Sequence, residues 1–360
     1  MPEVLAAVAG APALTGQQAL RRERRAAPLS IGVTADSPTR AERLALPTLS
    51  CVIPCHNEAA NLALLLPQLT AQLGECSAAW EIILVDDGST DASAAVFEDW
   101  AGRPGIVVIR LSRNSGKEAA LSAGLQASGG DVVVMMDADL QHPPGLLPTF
   151  VRYWLAGADV AYAVRANRED ESAFKQWGTR WFYRLLNLGD RFEVPVDAGD
   201  FRLIDRAVVQ SLLALPERNR FMKGLYAWVG FDAVAVPYVP AARAHGTSSY
   251  KPLRLIGLAI DGLTAFTTWP LRAVSAIGGA LALCAFVYGA YLSVCYLAYG
   301  HDVSGWTTIV VSLMLFSGIQ LVSVGILGEY IGRIFEEVKA RPLYIVKKLM
   351  GRGLDKARAP

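Results

Sequence analysis

The stretch DVVVMMDADLQHPP, Asp131 to Pro144, decides how this chain is read. It opens as an unbroken apolar run, the mark of a strand buried on both faces of a sheet. It closes in acidic and then turn-forming residues. Shorter runs of the same kind lie on either side. Leu49–Pro54 reads as a strand, followed by a helix over Glu58–Leu73 behind an Asn57 cap. Glu81–Val85 and Ile106–Leu111 read as strands, with helices at Thr90–Trp100 and Lys117–Ala127, and Val160–Val164 as a further strand. Apolar strands spaced by helices predict an α/β domain, a parallel sheet with helices on both faces. Ligands in such folds bind at the carboxyl ends of the strands.

Acidic residues cluster at those ends. Asp86-Asp87-Gly88-Ser89-Thr90-Asp91 follows the second strand, and Asp137-Ala138-Asp139 the fourth. Side chains alternate along extended backbone, so Asp137 and Asp139 point the same way. Paired carboxylates suit a hard divalent cation, Mg2+ or Mn2+, and Gln141 continues the series with a carbonyl oxygen. Such a cation is completed by substrate phosphates, which implies a diphosphate substrate. The rival reading is a loop whose carboxylates cap the next helix. Asp86-Asp87-Gly88-Ser89 is equally readable as a strand-to-helix turn or as a nucleoside contact, and His142 as a loop residue rather than a ligand. There is no GxGxxG after the first strand and no GxxxxGK[ST], which counts against dinucleotide and P-loop sites.

Composition narrows the class. Hydrophobic residues make up 52% and charged residues 19% of the 360, with a net charge of +1. A nucleic-acid binder built on global charge is excluded. Five cysteines without a CxxC pair argue against a disulfide scaffold or zinc finger. The apolar excess is local: Ala273–Ala298 and Val303–Gly328 contain no Asp, Glu, Lys, Arg or His. Each is long enough to span a bilayer as a helix, and the short linker between them makes a hairpin. Lys and Arg flank the hairpin and are absent from its linker, so the positive-inside rule puts the large preceding domain and both termini in the cytoplasm. The expected division is a disordered tail (1–46), a catalytic domain (47–245), interfacial amphipathic helices (246–272), two transmembrane helices (273–298 and 303–328) and a cytoplasmic tail (329–360). Phe174–Leu186 carries aromatics near helical spacing, with Arg180 and Arg184 on another face. It reads equally as an interfacial helix or a buried one.

Taken together, the motifs Cys51–Glu58 (CVIPCHNE), DDGSTD (86–91), NSGKEAALSAGL (114–125) and DADLQHPP (137–144) resemble glycosyltransferase family 2. DAGDFRLIDR (197–206), NRFMKGLYAWVGF (219–231), HGTSSY (245–250) and the hairpin are most similar to the polyprenyl-phosphate, or bactoprenol, glucosyltransferases, relatives of the dolichyl-phosphate mannose synthases. The resemblance implies a GT-A-type, Rossmann-like nucleotide-sugar-binding domain. It implies that Pro54, Glu58, Asp86, Asp87, Lys117 and Asp137 hold the nucleotide sugar, and that Asp137, Asp139 and Gln141 hold Mg2+ or Mn2+. It implies catalytic positions at Asp139, Arg165, Asp200 and Arg202. Arg165, Arg168, Arg180, Arg184 and Lys223 would meet the lipid phosphate, which needs cationic partners. The implied reaction is inverting transfer of a hexose, glucose from UDP-glucose first, to polyprenyl phosphate at the bacterial inner membrane by a homo-oligomer. A processive polysaccharide synthase is disfavoured because Gln176–Trp181 (QWGTRW) has one residue too many for QxxRW and precedes GDFR. A non-catalytic membrane scaffold is disfavoured by the intact acidic clusters.

Overall fold

The structure, a computed structural model, describes Arg43 and residues 45–166, 198–218, 220–239, 269–299 and 305–354. In chain order the elements are β1 (Thr48–Cys55), α1 (Ala59–Cys76), β2 (Ala79–Asp86), α2 (Ser93–Ala101), β3 (Ile106–Leu111), α3 (Lys117–Ala127), β4 (Val132–Met135), α4 (Leu147–Leu155), β5 (Val160–Arg165), β6 (Ala198–Asp205), α5 (Arg206–Ala214), α6 (Met222–Val229), β7 (Ala233–Tyr238), α7 (Trp269–Tyr299), α8 (Trp306–Lys339) and β8 (Val346–Gly351). The strands form a single sheet in the order β7-β5-β6-β4-β1-β2-β3-β8.

The sheet is α/β as expected, but it is mixed rather than parallel. β1 pairs parallel with β2 and β4, and β2 with β3. β6 runs antiparallel to both β4 and β5, and β8 antiparallel to β3. Two opposed strands are invisible to a periodicity argument, because an apolar run carries no direction. The period-2 alternation does place the core. Leu49, Cys51, Ile53, Ile82, Leu84, Val132 and Val134 bury against α1 and α4 through Leu62, Leu65, Leu66, Leu69 and Phe150. Val52, Ile83, Val85, Val133 and Met135 bury the other way, against α3, α5 and α6. Helices therefore cover both faces, which is why these strands are apolar throughout.

Helix α3 comes closest to the sheet because its inner face is made of small residues, Ala120, Ala123 and Gly124. A Cβ on Gly124 would run into the side chain of Val52 on β1. The N-terminus of α1 differs from expectation. Asn57 is not its cap: it adopts a left-handed φ of 59° and its Oδ1 accepts the Thr90 N–H at 2.8 Å. The start of α1 is met instead by the loop before α2 and by the first residue of α2, with Asp91 Oδ2 accepting the Ala59 N–H at 3.3 Å and Ser93 Oγ the Glu58 N–H at 3.2 Å.

Helices α7 and α8 contain apolar windows, Ala273–Leu292 and Ser312–Lys339, long enough to cross a membrane, with no part of either window buried inside the protein. That exposure removes the core-helix reading of these segments. The second apolar helix does not stop at Gly328 but continues to Lys339. The residues beyond it, read as a tail, return to the sheet: β8 pairs with β3, and the Leu354 N–H donates to Glu81 Oε2 at 2.9 Å. Glu81 is buried and also accepts from Ser50 Oγ (2.6 Å) and Gly129 N (2.7 Å). Near the end of α8, Glu337 Oε1 accepts the Arg218 N–H at 2.8 Å, and the Arg218 guanidinium reaches the carbonyl of Arg341. The expected tail over 1–46 and the interfacial helices over 246–272 lie almost wholly outside the described residues.

Overpacking at the α3–β1 contact is directly testable. Gly124→Ala is expected to destabilise the protein by about 1–3 kcal/mol, the usual penalty for a methyl group forced into a closed contact. Gly74→Ala in α1, where nothing lies within 4 Å of the added Cβ, should be neutral or stabilising by up to about 1 kcal/mol. Thermal melts of the two variants in detergent compare them.

Candidate active site

The site is made by the antiparallel pairing of β4 and β6. Their register runs from Val132 opposite Asp205 to Met135 opposite Arg202. Continued two residues past the ladder, it brings Asp200 across from Asp137. Lys117, the first residue of α3, lies between them: its Nζ is 2.5 Å from Asp137 Oδ1 and 2.6 Å from Asp200 Oδ2. Burial works against the charge on Lys117, but Asp200 and Asp137 outweigh it and hold the ammonium above its ordinary pKa. Burial likewise opposes ionisation of Asp200. Lys117, Lys223 and Arg202 overcome it and hold that carboxyl well below the usual range. Three segments distant in sequence are thus fastened at one ion cluster.

Asp87 fastens the same helix from the other side. Its Oδ1 accepts the Ser115 N–H at 2.6 Å and its Oδ2 the Gly116 N–H at 2.9 Å, at the N-terminus of α3 where a carboxylate is electrostatically favoured. Gly88 makes this approach possible. Its φ is +69°, and a Cβ there would sit 2.6 Å from the Asn114 nitrogen. Asp86 is buried, with Oδ1 accepting from Ser89 N (2.8 Å) and Oδ2 paired with Arg110 Nε (2.9 Å), its partner in the β2–β3 register. Its carboxylate braces the turn. Pro54 lies on β1 opposite Val85, and Glu58 Oε2 accepts from Asn61 Nδ2 at 2.6 Å.

The acidic loop does not continue the strand. β4 ends at Met135, and the chain turns at Leu140, whose φ is +61°. A non-glycine residue in that region carries about 1–2 kcal/mol of strain, and Leu140 is held there by packing on the core. Asp139 Oδ1 accepts the Gln141 N–H at 3.1 Å, and Gln141 Oε1 accepts from Arg165 Nη2 at 3.4 Å. His142 is buried and stacked on Phe201, and its Nδ1 accepts the Asp137 N–H at 3.2 Å. Burial pushes its pKa down although both Asp137 and Asp139 pull it up. Both carboxylates therefore converge near one ring, while His142 itself is neutral and structural.

The donor chemistry fits a hard cation: Asp137 and Asp139 supply carboxylate oxygens from one loop. Among the described residues no group of three or more His, Cys, Asp and Glu is gathered to hold a metal. Such a site would take its remaining ligands from a diphosphate and water, which is the habit of Mg2+. The third expected ligand, Gln141, has its carbonyl turned toward Arg165.

Arg202 lies beneath the cluster. It is buried, donates from Nη2 to the Gly199 carbonyl at 2.6 Å, and has its guanidinium 3.6 Å from the centroid of the Tyr226 ring. Lys223 is half-buried on α6, one side of the same cluster. Arg168, Arg180 and Arg184 lie outside the described residues. Sequence reasoning passed over Glu118 and Tyr226, which the structure brings to Asp200 and Arg202. Glu118 directly follows Lys117, and Tyr226 stands three residues after Lys223, but neither spacing is a signal without the helix placement.

Comparison with known proteins supplies the family. The model of the family described as Glycosyl transferase family 2 matches residues 50–213. A prophage-derived bactoprenol glucosyl transferase of Shigella flexneri is 42% identical over 269 residues, covering 74% of this chain and 87% of that protein. An undecaprenyl-phosphate 4-deoxy-4-formamido-L-arabinose transferase of Pseudomonas aeruginosa is 39% identical over 310 residues, covering 84% and 90%. An uncharacterized glycosyltransferase of Synechocystis is 40% identical over 304 residues, covering 84% and 96%.

Removing the bridging cation tests the ion cluster. Lys117→Met leaves Asp137 and Asp200 facing each other and is expected to cost about 1–3 kcal/mol at pH 7. That is less than for a fully buried pair, because the side chains keep 36% and 23% exposure. Asp200 has a depressed pKa, so its contribution is present above the unfolded value, about 4, and fades as pH falls toward the folded one. The gap in melting temperature between wild type and variant should therefore narrow from pH 7 to pH 3.

Proposed function

Since the chain belongs to glycosyltransferase family 2, we propose that it transfers a hexose, glucose from UDP-glucose first, to undecaprenyl or another polyprenyl phosphate with inversion at the anomeric carbon. The product would be a polyprenyl-phosphate sugar for cell-envelope glycosylation. Glycosyl transfer to polyprenyl phosphate is supported by the bactoprenol and undecaprenyl-phosphate names of relatives about 40% identical over most of the chain. Two apolar helices after the catalytic domain support membrane association. The proposed setting is the bacterial inner membrane, with the catalytic domain cytoplasmic and the enzyme a homo-oligomer.

The observation that carries this reading is the Lys117 bridge from the Asp137 loop to Asp200 on β6. It joins Asp137, proposed for the donor side, to Asp200, whose neighbours Lys223 and Arg202 are proposed for the acceptor side. Asp137 and Asp139 would hold Mg2+ or Mn2+, which when bound neutralises charge on the leaving nucleoside diphosphate. Asp87 and the N-terminus of α3 orient the nucleotide side. Arg165, beside Gln141 and Tyr238, and Lys223 offer positive charge to the acceptor phosphate. A phosphate monoester is already ionised near neutral pH, so no strong general base is demanded. The work left to the protein is orientation and charge stabilisation.

The test is incubation of the purified full chain, in detergent, with undecaprenyl phosphate and several labelled nucleotide sugars, UDP-glucose, GDP-mannose, UDP-N-acetylglucosamine and a UDP-amino-arabinose derivative among them. Labelled lipid from UDP-glucose with Mg2+ or Mn2+, abolished by chelation, is the expected outcome; no labelled lipid from any donor overturns the reading. Asp139→Ala should lower turnover about 100-fold or more without loss of fold. Wild-type turnover in that variant would remove the metal assignment.

A further inference from the structure

Glu118 is the second residue of α3 and has no part in the scheme above. Its carboxylate accepts the backbone N–H of Met222 at the start of α6. Its Oε2 is closed off from solvent and has no hydrogen-bond partner among the described residues. An ionised carboxylate left so is costly, whereas the neutral acid asks for fewer partners.

The charged groups around it come from every element packed there. Lys117 precedes it on α3, and Asp200 and Arg202 face it from β6. Lys223 and the Tyr226 hydroxyl face it from α6. Arg220, in the segment before α6, donates to Ser122 Oγ one turn along α3 (3.4 Å) and is balanced by Glu217. Burial and the charge of Asp200 push the Glu118 carboxyl up to about 7, against the pull of Lys117 and Lys223. With Glu118 neutral, Lys117, Lys223 and Arg202 exceed Asp137 and Asp200 by one charge. With Glu118 ionised, that excess is cancelled.

We propose that Glu118 is a positioning residue whose proton sets the charge of the acceptor-phosphate site. Protonated, it leaves the net positive charge of the cluster of Lys117, Lys223 and Arg202 to attract an incoming phosphate at Lys223; ionised, it cancels that charge. It acts through those lysines and touches no reacting atom. The inference rests on the reading that the acceptor is an anionic phosphate. Affinity for the acceptor then falls as pH rises through neutrality, for a reason seated in the protein.

Glu118→Gln tests this, because the amide keeps the size and the acceptor for Met222 N–H while removing the charge. The KM for undecaprenyl phosphate is measured from pH 5.5 to 8.5 at saturating donor, for wild type and variant. The phosphate's own titration, near pH 6, cancels in their ratio. The wild-type KM is expected to match the variant's at pH 6 and to exceed it about five- to tenfold at pH 8, the scale of one charge several ångströms away. The ratio of kcat values should stay flat. A KM ratio that does not change with pH overturns the proposal. Glu118→Ala separates packing from charge: it loses the Met222 cap and should melt lower at every pH. A parallel calorimetric titration with inorganic phosphate at pH 6 and 8 needs no sugar transfer, so failure of the proposed reaction and failure of the Glu118 assignment are distinguishable. Phosphate binding that is undetectable in wild type at pH 6, or whose wild-type-to-variant ratio is equal at both pH values, also overturns it.

Discussion

A lysine held between two aspartates ties together three elements at the carboxyl end of β4. Lys117 opens α3, Asp137 follows β4 and Asp200 opens β6, so one ammonium ties a helix to two antiparallel strands. Take away the antiparallel direction of β6 and Asp200 would leave the carboxyl end of β4 for the opposite edge of the sheet. The ion cluster also sets the electrostatics of its neighbours. It depresses Asp200, raises Lys117, and through Asp200 pushes Glu118 upward.

Around that bridge several side chains are committed to fixed partners. Asp86 is committed to Arg110 and Ser89, Asp87 to the first backbone amides of α3, and His142 to the amide of Asp137. Buried polar atoms in such a place need fixed partners, and these residues provide the rigid frame. Asp139 and Gln141 flank the strained Leu140, and Arg165 at the end of β5 donates to Gln141. Strain of that kind persists where the surrounding structure over-determines it, and it clusters at functional sites.

The apolar hairpin is bound to the catalytic domain by the chain that leaves it. Helix α8 runs beyond Gly328 to Lys339, Glu337 meets Arg218, and the chain then adds β8 to the edge of β3. An edge strand needs cover, and here the cover is the segment that follows the second apolar helix. The same segment meets buried Glu81, whose oxygens gather donors from β1, the α3–β4 turn and Leu354. The end of α8 and the residues after it are thereby tied to the domain.

Much of this was legible in the residues. Short apolar runs marked β1 to β5, and the helix expected over Lys117–Ala127 matches α3 to the residue. Local chemistry also marked the acidic loop and the two apolar helices, because burial and bilayer length act on contiguous stretches. The direction of β6 against β4, the return of β8 to β3 and the meeting of Lys117 with Asp200 each join segments far apart in the chain, and nothing local encodes such a pairing. Asn57 shows the same limit: as a residue type it fits a helix cap, but the neighbouring loop captured its side chain. The sequence by itself determined the strands, the helices and the charges; tertiary structure alone decided which charges face one another, because a side chain's partner is chosen by register across the sheet and not by position along the chain.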